Sequence, residues 1–247
     1  MRLDVVTIFP DFFDSPLSAG LLGKALSAGG IEVIVHDLRQ WAGEPHRKVD
    51  DETFGGGAGM VMTPGPLVKA VREIDGGEAR VVILSASGRL FDQSMAGELA
   101  QERQVILVCG RYEGIDDRVR TILGAEEVSV GDFVLTGGET ASLAVIESVA
   151  RLGEKFLGNA DSLSEESFSP GSSGLLEYPQ YTRPAEFEGE EVPEVLRSGN
   201  HEEIRRWRRT QSLRRTFERR PELLARADLS DGERDMIESW RQDERGI

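Results

Sequence analysis

The runs RVVILSA (80–86) and QVILVCG (104–110) decide the fold class of this chain. Both are continuous apolar stretches rich in β-branched residues, which is typical of strands buried on both faces of a sheet. Similar runs stand elsewhere, namely LDVVTIF (3–9), EVIVHDL (32–38) and EEVSV (126–130). Helical patterns separate or follow them at 17–28, 66–74, 92–101 and 140–152. Strands that alternate with helices predict an α/β domain with a mainly parallel sheet.

Length and composition are those of an ordinary globular protein. The chain has 247 residues, 39% of them apolar, which is enough for the core of one large domain or two modest ones. Cys109 is the only cysteine, and the three histidines are too scattered to suggest a zinc site. No run approaches the roughly 20 apolar residues of a membrane span, and the N-terminus lacks the features of a signal peptide. We therefore expect a cytoplasmic protein without zinc or disulfide chemistry.

The composition changes after residue 158. Residues 159–174, NADSLSEESFSPGSSG, are rich in Ser, Gly and Pro, which is typical of a loop. Beyond them, Asn200 and Ser230 are each followed three residues later by a glutamate, as in a helix capping box. We predict an α/β ligand-binding domain over 1–158, a flexible linker over 159–174 and a small helical domain over 175–247.

The charge is uneven along the chain. A net charge of −15 argues against a nucleic-acid partner, because phosphate binding depends on Lys and Arg. Residues 201–220, however, contain eight arginines and three glutamates, a local charge of +5. A solvated helix face with ion pairs and an RNA-facing patch explain this segment about equally well. In either case we expect one side of the helix to face a core, through Ile204, Trp207, Leu213 and Phe217.

We expect three glycine-rich turns after apolar strands: FGGGAGM (54–60), CGRYEGID (109–116) and LTGGET (135–140). Glycine permits positive φ and lets the backbone approach a ligand closely. None of the turns matches the dinucleotide fingerprint or the P-loop, so neither fold is indicated. Tight turns in an α/β sheet would explain any one of them, whereas all three together favour a ligand site.

Charged residues crowd the end of the strand at 104–110. Arg111, Glu113, Asp116, Asp117 and Arg118 lie where open α/β sheets bind ligands, and Asp50, Asp51 and Glu52 precede the first glycine turn. Such carboxylates either hold Mg²⁺ or pair with arginine, and ion pairs are the more common case. Composition and spacing do not name a reaction.

A resemblance to a known family does name one. The residues that carry it are GGGAGM (55–60) with MTP (62–64), LVCGRYEGIDDRV (107–119), VSVGDFVLTGGE (128–139), YPQYTRP (178–184), SGNHEEIRRWR (198–208) and SLRRTFERRPELL (212–224). In this order they resemble the TrmD family of bacterial tRNA (guanine-N1)-methyltransferases, within the SPOUT superfamily. The resemblance implies methyl transfer from S-adenosylmethionine to guanosine 37 of tRNA, a trefoil knot in the α/β domain, and a homodimer whose active site is shared between chains.

The resemblance also implies roles for individual residues. Those expected around the cofactor are Leu84, Gly110, Glu113, Val130, Gly131, Leu135, Gly137 and Gly138. Those expected to contact tRNA are Asp50, Arg183, Asn200, His201, Arg205, Arg208 and Arg209. Mg²⁺ is a possible further requirement, and no residue is assigned to it.

Catalysis by the family implies a base that removes the proton from guanine N1 and a cation that stabilises charge on O6. Arg151 matches the family's arginine. The family usually carries Asp-Ser-Phe in the linker, whereas this chain has Glu166 at the position of the aspartate, before Ser167 and Phe168. We predict Glu166 as the base, with a side chain longer by one methylene.

Three alternatives remain at this stage. A SPOUT methyltransferase that acts on another RNA would lack the YTRP and GNHEEIRRWR segments, and a catalytically impaired RNA-binding homologue is suggested by Glu166 alone. A nucleotide-dependent oxidoreductase would need the missing dinucleotide fingerprint.

Overall fold

A computed structural model describes residues 1–153, 156 and 165–245. The chain divides into two compact units, residues 1–158 and 159–247, which are treated separately below. The described residues include no helix that is both long and apolar enough to cross a membrane.

The first unit alternates strands and helices. Its strands are β1 (Arg2–Thr7), β2 (Glu32–Asp37), β3 (Asp50–Glu52), β4 (Met60–Met62), β5 (Arg80–Leu90), β6 (Gln104–Cys109) and β7 (Glu126–Ser129). Its helices are α1 (Asp14–Ser18), α2 (Gly20–Ser27), α3 (Pro64–Ile74), α4 (Gln93–Ala100), α5 (Arg118–Leu123) and α6 (Glu139–Ala150). Short 3-10 turns cover Pro10–Phe13 and Leu38–Trp41.

Five of these strands form one sheet in the order β2-β1-β6-β5-β7, and all neighbours are parallel. The prediction of an α/β domain with a parallel sheet is therefore confirmed. The antiparallel pair β3 and β4 was not predicted, because strands of three residues around a glycine turn are too short to show a period.

The sheet is covered on both faces, as its uninterrupted apolar strands require. Along β6 the buried side chains alternate: Val105, Leu107 and Cys109 belong to one core cluster, and Ile106 and Val108 to the other. Helix α3 buries Leu67, Ala70, Val71 and Ile74, the spacing of one helix face, against the second cluster. Parallel strands covered in this way bring their carboxyl ends to one edge of the sheet.

Strand β5 is longer than the predicted run because it continues past an irregularity. Its pairing with β7 shifts register between Leu84 and Arg89. Within this stretch, a Cβ added at Gly88 would overlap the backbone nitrogen of Val128, so only glycine fits. Pairing with β7 resumes after the irregularity, at Arg89 and Leu90.

The second unit is mainly helical, with a small hairpin. Its elements are β8 (Glu186–Phe187), β9 (Glu190–Glu191), α7 (Glu194–Arg197), α8 (His201–Arg219), a 3-10 turn (Pro221–Ala225) and α9 (Asp231–Arg245). Both predicted caps are confirmed. The Asn200 side chain accepts hydrogen bonds from the N–H groups of Glu202 and Glu203, and Glu233 accepts from the N–H and hydroxyl of Ser230.

The core of this unit contains Leu213 and Phe217, as predicted, together with Leu175, Leu224, Leu229 and Ile237. Ile204 and Trp207 were also expected to face a core, but both are half-buried and lie outside this cluster. Both lie in the first half of α8, whereas the residues of this helix that reach the core, Leu213 and Phe217, lie in its second half. The prediction for these two residues is wrong.

The described part of the predicted linker is hydrogen-bonded within the second unit. Residues 165–174 form turns in which the Phe168 N–H donates to the carbonyl of Leu175, and Gly174 donates to Ser169. Leu175 is fully buried directly after them. Residues 159–164 lie outside the described part of the chain, so the domain boundaries stay predictions.

Candidate functional site

A cavity of about 440 Å³ lies at the carboxyl edge of the five-stranded sheet. Its walls are formed mainly by residues 83–87 within β5, residues 110–117 after β6, and residues 127–138, which include the end of β7 and the segment after it. All eight residues predicted to surround a cofactor line this one cavity: Leu84, Gly110, Glu113, Val130, Gly131, Leu135, Gly137 and Gly138. The fold thus brings together residues that are up to 54 positions apart in sequence, counting from Leu84 to Gly138. Their binding roles stay predictions.

Residues 130–138 form one wall of the cavity and return to the end of β6. The Gly138 N–H donates to the carbonyl of Gly110 at 3.0 Å, and Arg111 and Gly137 form an isolated antiparallel bridge. A Cβ added at Gly138 would lie 2.7 Å from the Cα of Cys109. Glycine is needed here for contact with the protein's own backbone. Contact with Cys109 thus explains this glycine, and the interpretation in which Gly138 also makes room for a ligand stays a prediction.

A buried ion pair holds the same segment in place. Glu139, 1% exposed at the start of α6, accepts hydrogen bonds from the Thr7 hydroxyl at 2.7 Å and from Arg111 Nε at 2.9 Å. Arg111 also donates to the carbonyl of Thr136 at 3.3 Å and stacks over the Phe9 ring. The carboxylate is also well placed at a helix N-terminus. Sequence reasoning singled out Arg111 but missed Glu139 and Thr7, because their pairing spans 132 positions.

The glycine turn at 54–60 reaches the same region. The Glu113 N–H donates to the carbonyl of Met60, and a Cβ at Gly59 would meet the Glu113 side chain. Gly59 also has a φ of +91°, which favours glycine. The positive φ, together with the nearby Glu113 side chain, therefore explains the glycine at position 59.

Several neighbouring carboxylates are engaged in ion pairs. Asp116 pairs with Arg118 at 2.7 Å, and this hydrogen bond lowers the pKa of the Asp116 carboxyl. Asp51 pairs with Lys48 at 3.1 Å, and Asp117 with Arg120 at 3.4 Å. In the described residues no group of three or more His, Cys, Asp or Glu side chains is arranged to hold a metal ion. The ion-pair interpretation of these acidic residues is confirmed for the three pairs.

Cys109 ends strand β6 beside the cavity and is fully buried. Burial raises the pKa of its thiol far above the ordinary value, and the nearby negative charge of Glu139 raises this pKa further by a smaller amount. A thiol held neutral in this way is a weak nucleophile. Cys109 packs in the core and offers no route to covalent catalysis.

The two predicted catalytic residues lie in different units. Arg151 directly follows α6, is half-buried, and does not line the cavity described above. Glu166 is half-buried in the second unit. Each has a side-chain or electrostatic partner within the structure. Their catalytic roles stay predictions.

The predicted tRNA contacts are spread over both units. Asp50 is half-buried in β3, whereas His201 is exposed at the start of α8, next to the capping Asn200. Arg183 and Arg208 line a second cavity, also of about 440 Å³, within the second unit. No described element gathers all seven residues.

Most arginines of α8 have partners within the second unit. Arg209 pairs with Glu233 at 2.6 Å and donates to the carbonyl of Ser172, and Arg215 donates to the carbonyl of Glu177. Further ion pairs join Arg206 to Glu202, Arg208 to Glu165, Arg214 to Glu218 and, directly after the helix, Arg220 to Glu222. Arg205 and Arg219 are exposed and have no such partner in the described part of the chain. Ion pairing therefore accounts for most of this arginine-rich segment.

Comparisons with a protein family and with individual proteins point to the same kind of enzyme. Residues 1–226 match the family described as tRNA (Guanine-1)-methyltransferase TrmD. A tRNA (guanine-N(1)-)-methyltransferase of Dictyoglomus turgidum is 47% identical over 243 residues, covering 98% of each chain. Proteins of the same description from Moorella thermoacetica and Geobacillus kaustophilus are 51% and 45% identical, over 98–99% of this chain and 99% of theirs.

Proposed function

This chain belongs to the tRNA (guanine-1)-methyltransferase family and is a tRNA (guanine-N1)-methyltransferase; on that premise we propose that it methylates N1 of guanosine 37, next to the anticodon, with S-adenosylmethionine as donor. One observation carries the proposal beyond the family assignment. The eight residues matched to the family's cofactor site all line one cavity at the carboxyl edge of the sheet. Open α/β sheets bind their ligands at this edge.

The composition of the cavity fits this donor. Leu84, Val130 and Leu135 offer apolar side chains, and the glycine-rich turns offer backbone groups that can contact an adenosine. Glu113 places a carboxylate in the lining, where it would favour the positive charge on the donor sulfur. A volume of about 440 Å³ lies within the range of small-molecule sites. When bound, S-adenosylmethionine supplies an electrophilic methyl group.

The chemical work left to the protein is to prepare the acceptor. Guanine N1 carries a proton that must leave before nitrogen can attack, and Glu166 is proposed to accept it. Negative charge then develops on guanine O6, and the guanidinium of Arg151 is proposed to stabilise it. The side chains of Thr7, Arg111 and Glu139 fix the segment before α6, and with it one wall of the cavity.

We extend the proposal to the knot and the dimer. The return of residues 130–138 to the end of β6, fixed by the Gly138 to Gly110 hydrogen bond, supports a trefoil knot in this region. Exposed apolar side chains support a homodimer that shares its active site: Phe54 is fully exposed and Val134 is 90% exposed. Because tRNA is the substrate, we place the reaction in the cytoplasm. Mg²⁺ is included as a possible requirement, with no residue assigned to it.

Labelled methyl transfer tests the proposal. Protein, labelled S-adenosylmethionine and a tRNA transcript with guanosine at position 37 should yield 1-methylguanosine after nuclease digestion. A transcript with adenosine 37 is the matched control and should accept no label. Label in another RNA, but not in tRNA, would favour a SPOUT enzyme with a different substrate. Binding of tRNA without any transfer would favour a catalytically impaired homologue.

A further inference from the structure

The second unit contains a cavity to which the proposed reaction assigns no chemical step. It has a volume of about 440 Å³, and the YPQYTRP segment and the helices α7 and α8 form its walls. Its lining contains Tyr178, Tyr181, Arg183, Arg197 and Arg208. Two aromatic rings and three guanidinium groups in one small cavity are unusual for a chain with a net charge of −15.

The aromatic rings offer flat faces. Tyr181 is 48% exposed, and its ring lies 6.3 Å from that of Trp207, which supports it from one side. Arg208 stacks its guanidinium over Tyr178 at 4.7 Å from the ring centroid. Aromatic rings and guanidinium planes are the surfaces on which proteins stack unpaired bases.

Arg208 also has an unsatisfied donor. Its Nε–H is buried and has no hydrogen-bond partner among the described residues, although Nη1 lies 3.6 Å from Glu165. The Arg208 side chain as a whole is 38% exposed, so its outer N–H groups can donate to a carbonyl oxygen of a base or to a phosphate oxygen. Arg183 and Arg197 add positive charge to the same lining.

We propose that this cavity binds one unstacked nucleobase of the tRNA loop, distinct from the guanosine that is methylated, with its adjoining phosphate directed to the arginines. The inference rests on the proposed function, since it needs tRNA as the substrate. A purely apolar ligand would leave the guanidinium groups unpaired, and a simple anion would make no use of the tyrosine faces. A nucleotide within a single-stranded loop uses both.

A double-mutant cycle between protein and RNA tests the proposal. Tyr181→Leu removes the ring and keeps apolar bulk, and it should weaken tRNA binding by about 5- to 150-fold, the usual effect of losing one base stack. Tyr181→Phe keeps the ring and should bind with nearly the wild-type Kd. Transcripts with one abasic nucleotide at each loop position are then bound to all three proteins. At the position whose base enters the cavity, the wild-type protein should bind the abasic transcript more weakly than the intact one. Tyr181→Leu should bind both transcripts with the same affinity.

Two results would overturn it: a wild-type Kd for Tyr181→Leu, or losses that add at every abasic position. Because Tyr181 is half exposed, its replacement should leave the urea midpoint unchanged, and Tyr181→Ser serves in the same cycle if Tyr181→Leu proves unstable. Methylation by the wild-type protein separates the two hypotheses. If it methylates tRNA but shows no coupling, only the base pocket fails; if it methylates no tRNA, the proposed function fails.

Discussion

The hydroxyl of Tyr178 donates a hydrogen bond of 2.6 Å to the carboxylate of Glu165, the residue immediately before Glu166. Arg208 lies 3.6 Å from the same carboxylate. Burial, and then this hydrogen bond, raise the pKa of the Tyr178 hydroxyl, so Tyr178 stays a neutral donor. Glu165 is thus tied to two neighbours on the second unit. Of the two adjacent glutamates, Glu165 has a structural role and Glu166 matches the family's base.

Glu166→Ala should lower the rate of methyl transfer by about 100-fold or more, the usual contribution of a positioned general base. Binding of tRNA and of S-adenosylmethionine should change little, because the chemical step alone loses its proton acceptor. Glu166→Asp restores the family's residue and should keep substantial activity. Single-turnover kinetics at saturating tRNA measure the chemical step apart from binding and release.

Glu165→Ala is the matched control. It removes the acceptor for Tyr178 and a partner of Arg208, and it should affect tRNA affinity more than the single-turnover rate. A wild-type rate for Glu166→Ala together with a slow Glu165→Ala would assign the base to Glu165. Asp161, another acidic residue of the same segment, lies outside the described residues and belongs in the same series.

Gly138→Val should destabilise the first unit. Its Cβ would meet the Cα of Cys109 at 2.7 Å, and backbone atoms at that distance cannot be displaced cheaply. We expect a loss of about 1–3 kcal/mol in the free energy of unfolding, the usual cost of overpacking. The measurement is urea denaturation of both proteins.

Gly110→Ala is the matched control, because it also replaces a glycine that lines the cavity. Its Cβ would meet the side chain of Ile115 at 3.6 Å, an ordinary contact, so its stability should stay near that of the wild type. If Gly138→Val unfolded like the wild type and yet failed to bind S-adenosylmethionine, the glycine would serve the ligand, as the sequence first suggested.

The arginines of α8 should separate into two groups. Arg205→Ala with Arg219→Ala removes exposed cations and should weaken tRNA binding. Each lost phosphate contact should also reduce the slope of log K against log salt by roughly 0.7–0.9. Stability should not change. Arg209→Ala instead removes the ion pair with Glu233 and a hydrogen bond to Ser172, so its main effect should be a lower urea midpoint.

Salt titrations of tRNA binding, paired with urea curves, measure both effects. A salt slope that is unchanged in the Arg205 and Arg219 double variant would mean that this face of α8 does not contact phosphates.

The sequence predicted the parts of this fold that a local period specifies. The apolar run 104–110 predicted a strand, and Asn200 predicted a helix cap. Both predictions are confirmed, because each depends only on residues that are close in sequence. The contact of Gly138 with Cys109 and the hydrogen bond from Thr7 to Glu139 depend on which distant segments meet, and spacing along the chain carries no such information. The same limit applies to the arginines of α8, whose number was evident but whose partners were not.

A buried carboxylate should make stability depend on pH. Asp4, fully buried on β1, accepts hydrogen bonds from Arg2 at 2.7 Å and from Gln104 on β6 at 2.7 Å, and it contacts His36 on β2 at 2.7 Å. Burial alone would raise the pKa of this carboxyl, but the hydrogen bonds from His36, Arg2 and Gln104 outweigh it. The pKa therefore lies below the ordinary value of 3.8.

A folded-state pKa below the unfolded one means that the stabilising contribution of Asp4 is complete above the unfolded value and is lost as pH falls through the folded value. Asp4→Asn keeps the shape of the side chain and removes its charge. It should lower the free energy of unfolding by roughly 1–2 kcal/mol near neutral pH, because hydrogen bonds to a charged group are lost. The loss is no larger because Arg2 is partly exposed to solvent, which screens its interaction with Asp4. The difference between wild type and Asp4→Asn should shrink as pH falls below the ordinary carboxyl value of 3.8, because the wild-type carboxylate then becomes protonated. Urea unfolding of both proteins across this range measures the difference directly, and the other acidic groups of the chain cancel between them. A difference that stays constant down to the lowest pH would mean that Asp4 is not held charged by this network.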